Sequence, residues 1–414
     1  MTNVHLENKR VSRQFFVIIW IEYALIYMTK NCFNAAMASI VYEGVLTKSQ
    51  TGLISAVFYM VYGPLQIVGG IIADRYNPEN LIKLGLISSG VLNVILFFFH
   101  DYVTMLVLWA ANGFAQFAIW PAIFKIISSQ LAPADRKGAV YYITFASIGG
   151  LLLSYLTAAV IPRWEYNFLV SGMVLLVLAF FWVAECHSVD RFMVVDQPLQ
   201  ISRDQIPANH ISTSAILGKS GFYILVLFYF FRTVVDQSIK AFSPTMFTEL
   251  YEGVQPSYAN LLNMLIIGFT MLGSIFIRKL YPRVIRNEVI GMLVLSALTL
   301  PFCLLLNFIG IIDLSISVIG ICIVACLLNG IAIMNSFQNM SYSRFEKSAT
   351  AAGIINGAAS IGIVVTSYGV ALVSDQFGWK AVMALWLSLM VLCVLLVAVV
   401  IPIWKRFTDQ YLKG

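Results

Sequence analysis

The chain has 414 residues, 60% of them hydrophobic and 11% charged, with 26 Lys and Arg against 20 Asp and Glu for a net charge of +6. Soluble domains carry about a quarter charged residues, so this composition excludes an ordinary soluble protein and indicates a chain that crosses a lipid bilayer many times. The excess positive charge is what cytoplasmic loops of such a protein carry, and it gives no reason to expect a nucleic acid as partner.

In chain order, the first apolar run lies near residues 14–41. Lys9, Arg10 and Arg13 precede it and Ala36-Met37-Ala38 sits near its end, which mimics a cleavable signal peptide. The run is too long for that and many similar ones follow, so it reads as a span. Runs of about 20 apolar residues recur near 50–73, 80–99, 103–128, 138–161 and 167–186. After a polar connection over 187–219 that contains Pro198 and Pro207, six more lie near 220–246, 256–277, 287–309, 314–337, 351–374 and 380–404. The expected fold is an all-α membrane protein of twelve transmembrane helices. Its parts are an N-terminal six-helix bundle (1–186), a cytoplasmic linker (187–219) and a C-terminal six-helix bundle (220–414).

With the N-terminus inside, the inner segments and inner span ends hold 20 of the 26 basic residues, the outer loops hold Lys48, Arg163 and Lys380, and Lys30, Arg232 and Lys240 lie deep within spans. This asymmetry predicts both termini in the cytoplasm of a multi-pass cell-membrane protein. The halves also echo each other. Ala146-Ser-Ile-Gly149 recurs as Ala359-Ser-Ile-Gly362, and GGIIADRYNP after span 2 is matched by GSIFIRKLYP after span 8. Two echoes at a similar offset point to a parallel repeat of six spans.

Ionisable groups inside spans cost roughly 2.5–3.5 kcal/mol each on insertion scales, so they are expected to be paired or to line a watery cavity. The candidates are Glu22 and Lys30 in span 1 and Arg232, Asp236 and Lys240 in span 7. Arg232, Asp236 and Lys240 are spaced i, i+4, which also permits a purely structural ladder. Five of the six cysteines lie within apolar stretches, Cys186 ends another, and no C-x-x-C pair occurs; the four histidines sit at or beyond span ends. Neither metal nor other cofactor is expected. Gly149, Gly150, Gly353 and Gly357 are expected to let helices approach closely. Asn329, Asn335 and Gln338 suit either a cavity wall or helix–helix hydrogen bonds.

Gly70-Ile-Ile-Ala-Asp74-Arg75 resembles the loop signature of the major facilitator superfamily, a glycine followed by Asp-Arg or Asp-Lys. The Tyr-Asn-Pro-Glu that follows resembles one subgroup, the organophosphate:phosphate antiporters. Asn112-Gly-Phe-Ala-Gln116-Phe-Ala-Ile-Trp120-Pro121, Lys30-Asn31, Ser243-Pro244-Thr245, Ala351-Ala352-Gly353 and Phe377-Gly378-Trp379 resemble further motifs of that subgroup, from about residue 20 to 390. The resemblance implies two bundles related by a pseudo-two-fold axis around a central cavity, with spans 1 and 7 facing it. It implies gating by Asp74 and Arg75, with Arg136-Lys137 as loop or gate elements.

The departures concern the solute. In those antiporters one arginine in span 1 and one in span 7 grip phosphate; here Thr29 and Asp236 stand at those positions. Gln66 stands where the subgroup has a lysine, Ala146 lies near its span 5 histidine, Glu22 replaces a binding-site tyrosine, and Tyr62 matches another. Lys125 takes the place of an arginine and suits snorkelling to the interface as well as a site. The expected solute contacts are Glu22, Thr29, Lys30, Tyr62, Gln66, Trp120, Arg232, Asp236 and Lys240, with Glu22 and Asp236 as carriers of a coupling proton. Tyr62 and Trp120 suit stacking on a solute or plain packing.

The expected function is secondary active transport of a small organic anion by alternating access, through proton symport or anion exchange, by a monomer. The alternatives are a transporter-like sensor of an extracellular solute, and organophosphate exchange for phosphate. No G-x-x-x-x-G-K-[ST] or G-x-S-x-G pattern supports a nucleotide-driven pump or an enzyme.

Overall fold

A backbone amide or carbonyl left unpaired in hydrocarbon costs several kcal/mol, so a chain this apolar closes its hydrogen bonds within helices. The computed structural model describes residues 4–161, 163–195, 213–281, 283–285, 287–310, 312–342 and 348–411. It is all-helical apart from one short ribbon, and nine helices among the described residues are long and apolar enough to cross a membrane. Most of the connection expected over 187–219 (residues 196–212) lies outside the described residues.

The helices gather into two compact units, Met1–Ile40 with Val57–Ala208 and Val41–Ala56 with Asn209–Gly414. In the first unit, α1 (Lys9–Lys30) starts at Asn8, whose Oδ1 accepts from the amides of Arg10 at 2.9 Å and Val11 at 3.4 Å. That cap satisfies amides the first turn leaves without helical partners. The helix stops at Asn31, whose Nδ2 donates to Tyr27 O at 2.8 Å, and resumes as α2 (Cys32–Tyr42). The first span therefore runs over Lys9–Tyr42 with a one-residue irregularity beside Lys30.

Next come α3 (Lys48–Arg75), with Pro64 in its interior, and α4 (Pro78–Leu96). Asn77 caps α4 by accepting from the Glu79 amide at 2.8 Å, and Pro78 fills the first helical position, where its missing N–H costs nothing. The Asn-Pro pair noted in the sequence is thus a helix start. The fourth span is broken into α5 (Tyr102–Gln116) and α6 (Ile119–Ser129), followed by α7 (Pro133–Val160) and α8 (Glu165–Asp190). A two-stranded antiparallel ribbon pairs β1 (Val4–Leu6) with β2 (Met193–Val195), bringing the start of the chain to the end of α8. Nothing in the sequence announced it.

The second unit runs α9 (Thr213–Lys219), α10 (Phe222–Leu250), α11 (Pro256–Leu280) and α12 (Glu288–Leu305), the last widening into a π turn at Leu306–Gly310. It continues through α13 (Leu314–Met340), α14 (Ser348–Val365), a second π turn at Thr366–Val370, and α15 (Ala371–Tyr411). Gly378, with φ 77°, interrupts α15 in a conformation that glycine alone adopts at little cost. The same pairings recur in both units. The first and fifth spans pack together (α1 on α7, α10 on α14), as do the third and sixth (α4 on α8, α12 on α15).

The loop between the first two spans joins the second unit for an electrostatic reason. Lys48 Nζ lies 2.8 Å from Glu249 Oε2 and 3.7 Å from Asp375 Oδ1. Asp375 accepts from the Ser49 amide at 2.7 Å and from the Ser49 hydroxyl, placing an anion at the start of α3, where the helix dipole favours it. Trp379 Nε1 donates to Glu249 Oε2 at 2.7 Å. A Cβ on Gly52 would stand 2.3 Å from Ser367 O, so only glycine permits this approach.

Close packing falls on only some of the glycines expected to provide it. A Cβ on Gly150 would stand 2.1 Å from Ala24 O, which makes Gly150 the contact point of α7 with α1. Gly149 and Gly357 face open space, so their expected packing role is corrected. The surroundings of Gly353 lie outside the described residues.

Candidate functional site

Each unit holds one buried charge cluster. In the first, Lys30 is the last residue of α1 and only 8% exposed. Its Nζ stands 3.6 Å from the centre of the Tyr62 ring, 5.4 Å from Tyr27, 5.5 Å from Tyr59 and 5.8 Å from Phe58. Among the described residues no acceptor hydrogen-bonds this ammonium and no carboxylate pairs with it. A cation–π contact is worth about 2 kcal/mol or somewhat more when desolvated. Burying an ion costs several kcal/mol. The rings thus soften the burial of Lys30 without replacing a counter-anion.

Gln66 Nε2 donates to the Tyr62 hydroxyl at 2.7 Å, fixing that ring from one turn further along α3. Tyr23 extends the aromatic wall, with its ring centre 5.2 Å from Tyr27 and 5.0 Å from Trp120. Trp120 therefore meets the wall through Tyr23. Glu22 is buried on α1 at 4% exposure, about two turns before Lys30, and no described residue hydrogen-bonds or ion-pairs with it. Thr29 is fully buried, its hydroxyl donating to Ile26 O at 2.8 Å on its own helix.

Tyr23, Tyr27, Phe58 and Tyr59 were missed from sequence. A signal for three of them was present: Tyr23, Tyr27 and Lys30 are spaced i, i+4, i+7, and Tyr59 and Tyr62 are spaced i, i+3, so each set shares a helix face.

The second cluster lies on α10, whose Arg232 and Asp236 side chains are each 4% exposed. Asp236 Oδ2 lies 2.7 Å from Lys240 Nζ and 3.4 Å from Arg232 Nη2, so the i, i+4 ladder permitted by the sequence is formed. The Arg232 guanidinium also donates to Leu328 O on α13 through Nε at 3.0 Å and Nη2 at 2.7 Å, and its Cζ stands 5.5 Å from the Tyr229 ring centre. Asn263 Nδ2, from α11, donates to Lys240 O at 2.9 Å. Asp236 Oδ1 is buried and accepts from no described residue. Two cations against one anion leave the ladder with a net single positive charge and one open acceptor.

The remaining polar residues divide differently. Lys125 Nζ, on α6, donates to Ala73 O near the end of α3, so it ties two helices of the first unit. Arg75 is exposed there; the side chain of Asp74 lies outside the described residues, as does that of Lys137. Arg136 donates to Leu131 O at 2.8 Å and Ser129 O at 2.7 Å, bracing the turn between α6 and α7. Asn329 Nδ2 donates to Thr270 O at 2.6 Å and Ser274 Oγ at 2.5 Å, a helix–helix bond between α13 and α11. Gln338 donates to the Tyr342 hydroxyl at 2.8 Å.

Comparison with known proteins gives a consistent set of likenesses. Residues 19–367 match the family model of the Major Facilitator Superfamily. The chain is 34% identical over 164 residues to the membrane sensor protein UhpC of Salmonella typhimurium, covering 39% of this chain and 37% of that protein. It is 22% identical over 418 residues to the probable hexose phosphate transport protein of Chlamydia pneumoniae, covering 94% and 90% of the two chains. The match to the sensor thus spans well under half of its length, whereas the match to the transport protein is nearly end to end. Among solved structures, a D-xylose-proton symporter superposes with a TM-score of 0.73 at 13% identity, over 96% of this chain and 99% of that one.

Proposed function

Because the chain belongs to the major facilitator superfamily, we propose that it is a secondary active transporter that moves a small organic anion across the cell membrane by alternating access. The proposed architecture is twelve spans in two six-helix bundles related by pseudo-two-fold symmetry, with both termini cytoplasmic. The recurring helix pairings and the one-sided distribution of Lys and Arg support it.

The observation that carries the anionic solute is Lys30, a buried ammonium among aromatic rings with no described acidic partner. An arriving carboxylate or phosphate would supply the counter-charge that Tyr62 and Tyr27 supply only in part. Their rings offer apolar faces for the carbon skeleton of the solute, and Gln66, Thr29 and Trp120 complete that side of the site. On α10, the net positive charge of Arg232, Asp236 and Lys240 suits the same class of solute. Asp236 Oδ1 is open to a solute hydroxyl or to a coupling proton. Glu22, buried without a described partner, is the second proposed proton carrier. Asp74 and Arg75 are assigned to gating. Coupling runs through a proton or an exchanged anion.

Liposomes carrying the protein decide the reading. Labelled carboxylates, sugar acids and hexose phosphates are offered with and without a pH gradient, and Lys30→Gln is compared with the parent. Uptake or counterflow of an anion that Lys30→Gln loses supports the proposal; equal transport by both proteins overturns the role of Lys30. Hexose phosphate exchange for phosphate would show that the cluster grips phosphate without the span 1 and span 7 arginines of the resembled antiporters. Likeness to a membrane sensor favours a second reading, in which a solute binds without flux. Saturable stabilisation by an anion with no counterflow would select it.

A further inference from the structure

A groove of about 480 Å³ runs between α4 and α8 on the outer face of the first unit, lined by Lys83, Ile87, Leu176, Phe180, Val183 and His187 among others. Its floor and walls are apolar and open to the hydrocarbon; Phe180 is 73% and Ile87 41% exposed. Both polar groups, Lys83 and His187, stand at the same end, because α4 begins there and α8 finishes there. Lys83 makes no ion pair and no hydrogen bond with any described residue. His187 Nδ1 lies 3.1 Å from Val183 O on its own helix; donating there, it leaves Nε2 as an acceptor for an outside partner.

We infer that this groove is a binding site for one anionic phospholipid with a hydroxylated headgroup, of the phosphatidylglycerol type. The lipid phosphate pairs with Lys83, a headgroup hydroxyl donates to His187 Nε2, and an acyl chain lies along Ile87, Leu176, Phe180 and Val183.

Dimension supports this occupant. From Leu176 to His187 the α8 wall is eleven residues, about 16 Å at the helical rise. One leaflet of hydrocarbon is about 15 Å, half of the roughly 30 Å core. The groove therefore spans one leaflet from the headgroup level to the midplane, with its cation at the headgroup level. Basic pockets between transmembrane helices hold anionic headgroups in this way.

A second groove on the same unit shows what charge adds. It has a volume of about 410 Å³ and lies between α1 and α7, lined by Arg13, Phe16, Val17, Asp135 and Tyr142 among others. There Arg13 has an acidic partner, Asp135 at 3.5 Å, which repels an outside anion and competes with it for the guanidinium. A groove whose cation stands beside a carboxylate should select an anionic lipid less than one whose lysine has none.

The test is lipid retention by the purified full chain in detergent, read by native mass spectrometry. Phosphatidylglycerol and phosphatidylcholine of identical acyl chains are supplied in equal amounts. The parent protein is expected to retain phosphatidylglycerol about fivefold more, the worth of one lysine near an anionic surface. Lys83→Gln should abolish that preference, Lys83→Arg should keep it, and Arg13→Gln should leave it unchanged. Leu176→Trp, which fills the groove and keeps every charge, should lower retention of both lipids. Equal retention of the two lipids by the parent overturns the inference, as does an undiminished preference in Lys83→Gln. So does displacement of the lipid by soluble glycerophosphate, which would mean that the headgroup alone is bound. A protein dimer in place of the lipid adduct would assign the groove to a second copy and overturn it equally.

Discussion

The two buried charge clusters solve the same problem in opposite ways. On α10 an aspartate sits between two cations one turn away on either side, and a backbone carbonyl takes what remains of the arginine. On α1 a lysine has only rings for company, and a glutamate two turns earlier has no described partner at all. The first arrangement is nearly complete within the protein; the second is left for something else to complete. Charge inside a membrane is thus informative according to what it lacks, and a ladder spaced i, i+4 says less about a solute than an isolated lysine.

The comparison can be broken most sharply at Asp236. Asp236→Asn leaves the buried Arg232 and the half-buried Lys240 with no anion between them. Removing one partner of a buried pair costs about 3–5 kcal/mol, so thermal unfolding in detergent should show a large loss of stability. The double variant Asp236→Asn with Lys240→Gln should recover part of it. Lys30→Gln should do the reverse. It removes a buried charge without a described counter-ion, so unfolding should be unchanged or delayed. Solute affinity should fall by about 2–5 kcal/mol, the usual cost of truncating one partner of a buried charged contact. Calorimetric titration with whichever anion the liposome screen identifies measures this.

Smaller effects refine the picture. Tyr62→Leu takes away the nearest ring and the hydroxyl that anchors Gln66. It should weaken solute binding by about 1–2 kcal/mol, in line with the worth of a desolvated cation–π contact. Lys48→Gln should destabilise the second unit by about 1 kcal/mol, less than Asp236→Asn, because Glu249 and Asp375 remain partly open to solvent. Its measurable sign should be faster proteolysis or hydrogen exchange over residues 41–56. A loss as large as that of Asp236→Asn would erase the distinction between the half-buried clasp and the buried ladder.

Much of this was legible in the sequence because hydrocarbon imposes strong rules. Span positions follow from apolar length, and the ladder on α10 follows from spacing, since helical neighbours need no tertiary information. The Asn-Pro pair, noted in the sequence only as a family resemblance, is a helix start that its capping chemistry could have announced. The cage around Lys30 was half legible: Tyr23 and Tyr27 share its helix face, but the approach of Tyr59 and Tyr62 depends on how α3 packs against α1. The breaks at Asn31 and at Phe117–Ala118 escaped notice because apolar residues continue on both sides of each and neither carries a proline or glycine. Gly149 and Gly150 are neighbours in sequence, and only the rotation of α7 decides that Gly150 meets Ala24. The β-ribbon could not be read, since three residues on each side carry no periodicity of their own.

The grouping of Val41–Ala56 with the second unit has a mechanical meaning. Helix α3 is continuous from Lys48 to Arg75, yet its first two turns are fastened to α10 and α15 while the rest belongs to the first unit. One continuous helix is thus shared between the two compact units. Pro64 lies along its length, two residues from Tyr62 and two from Gln66, where the missing backbone donor makes a helix easiest to bend. The easiest bend in α3 therefore lies beside Tyr62, the ring nearest Lys30.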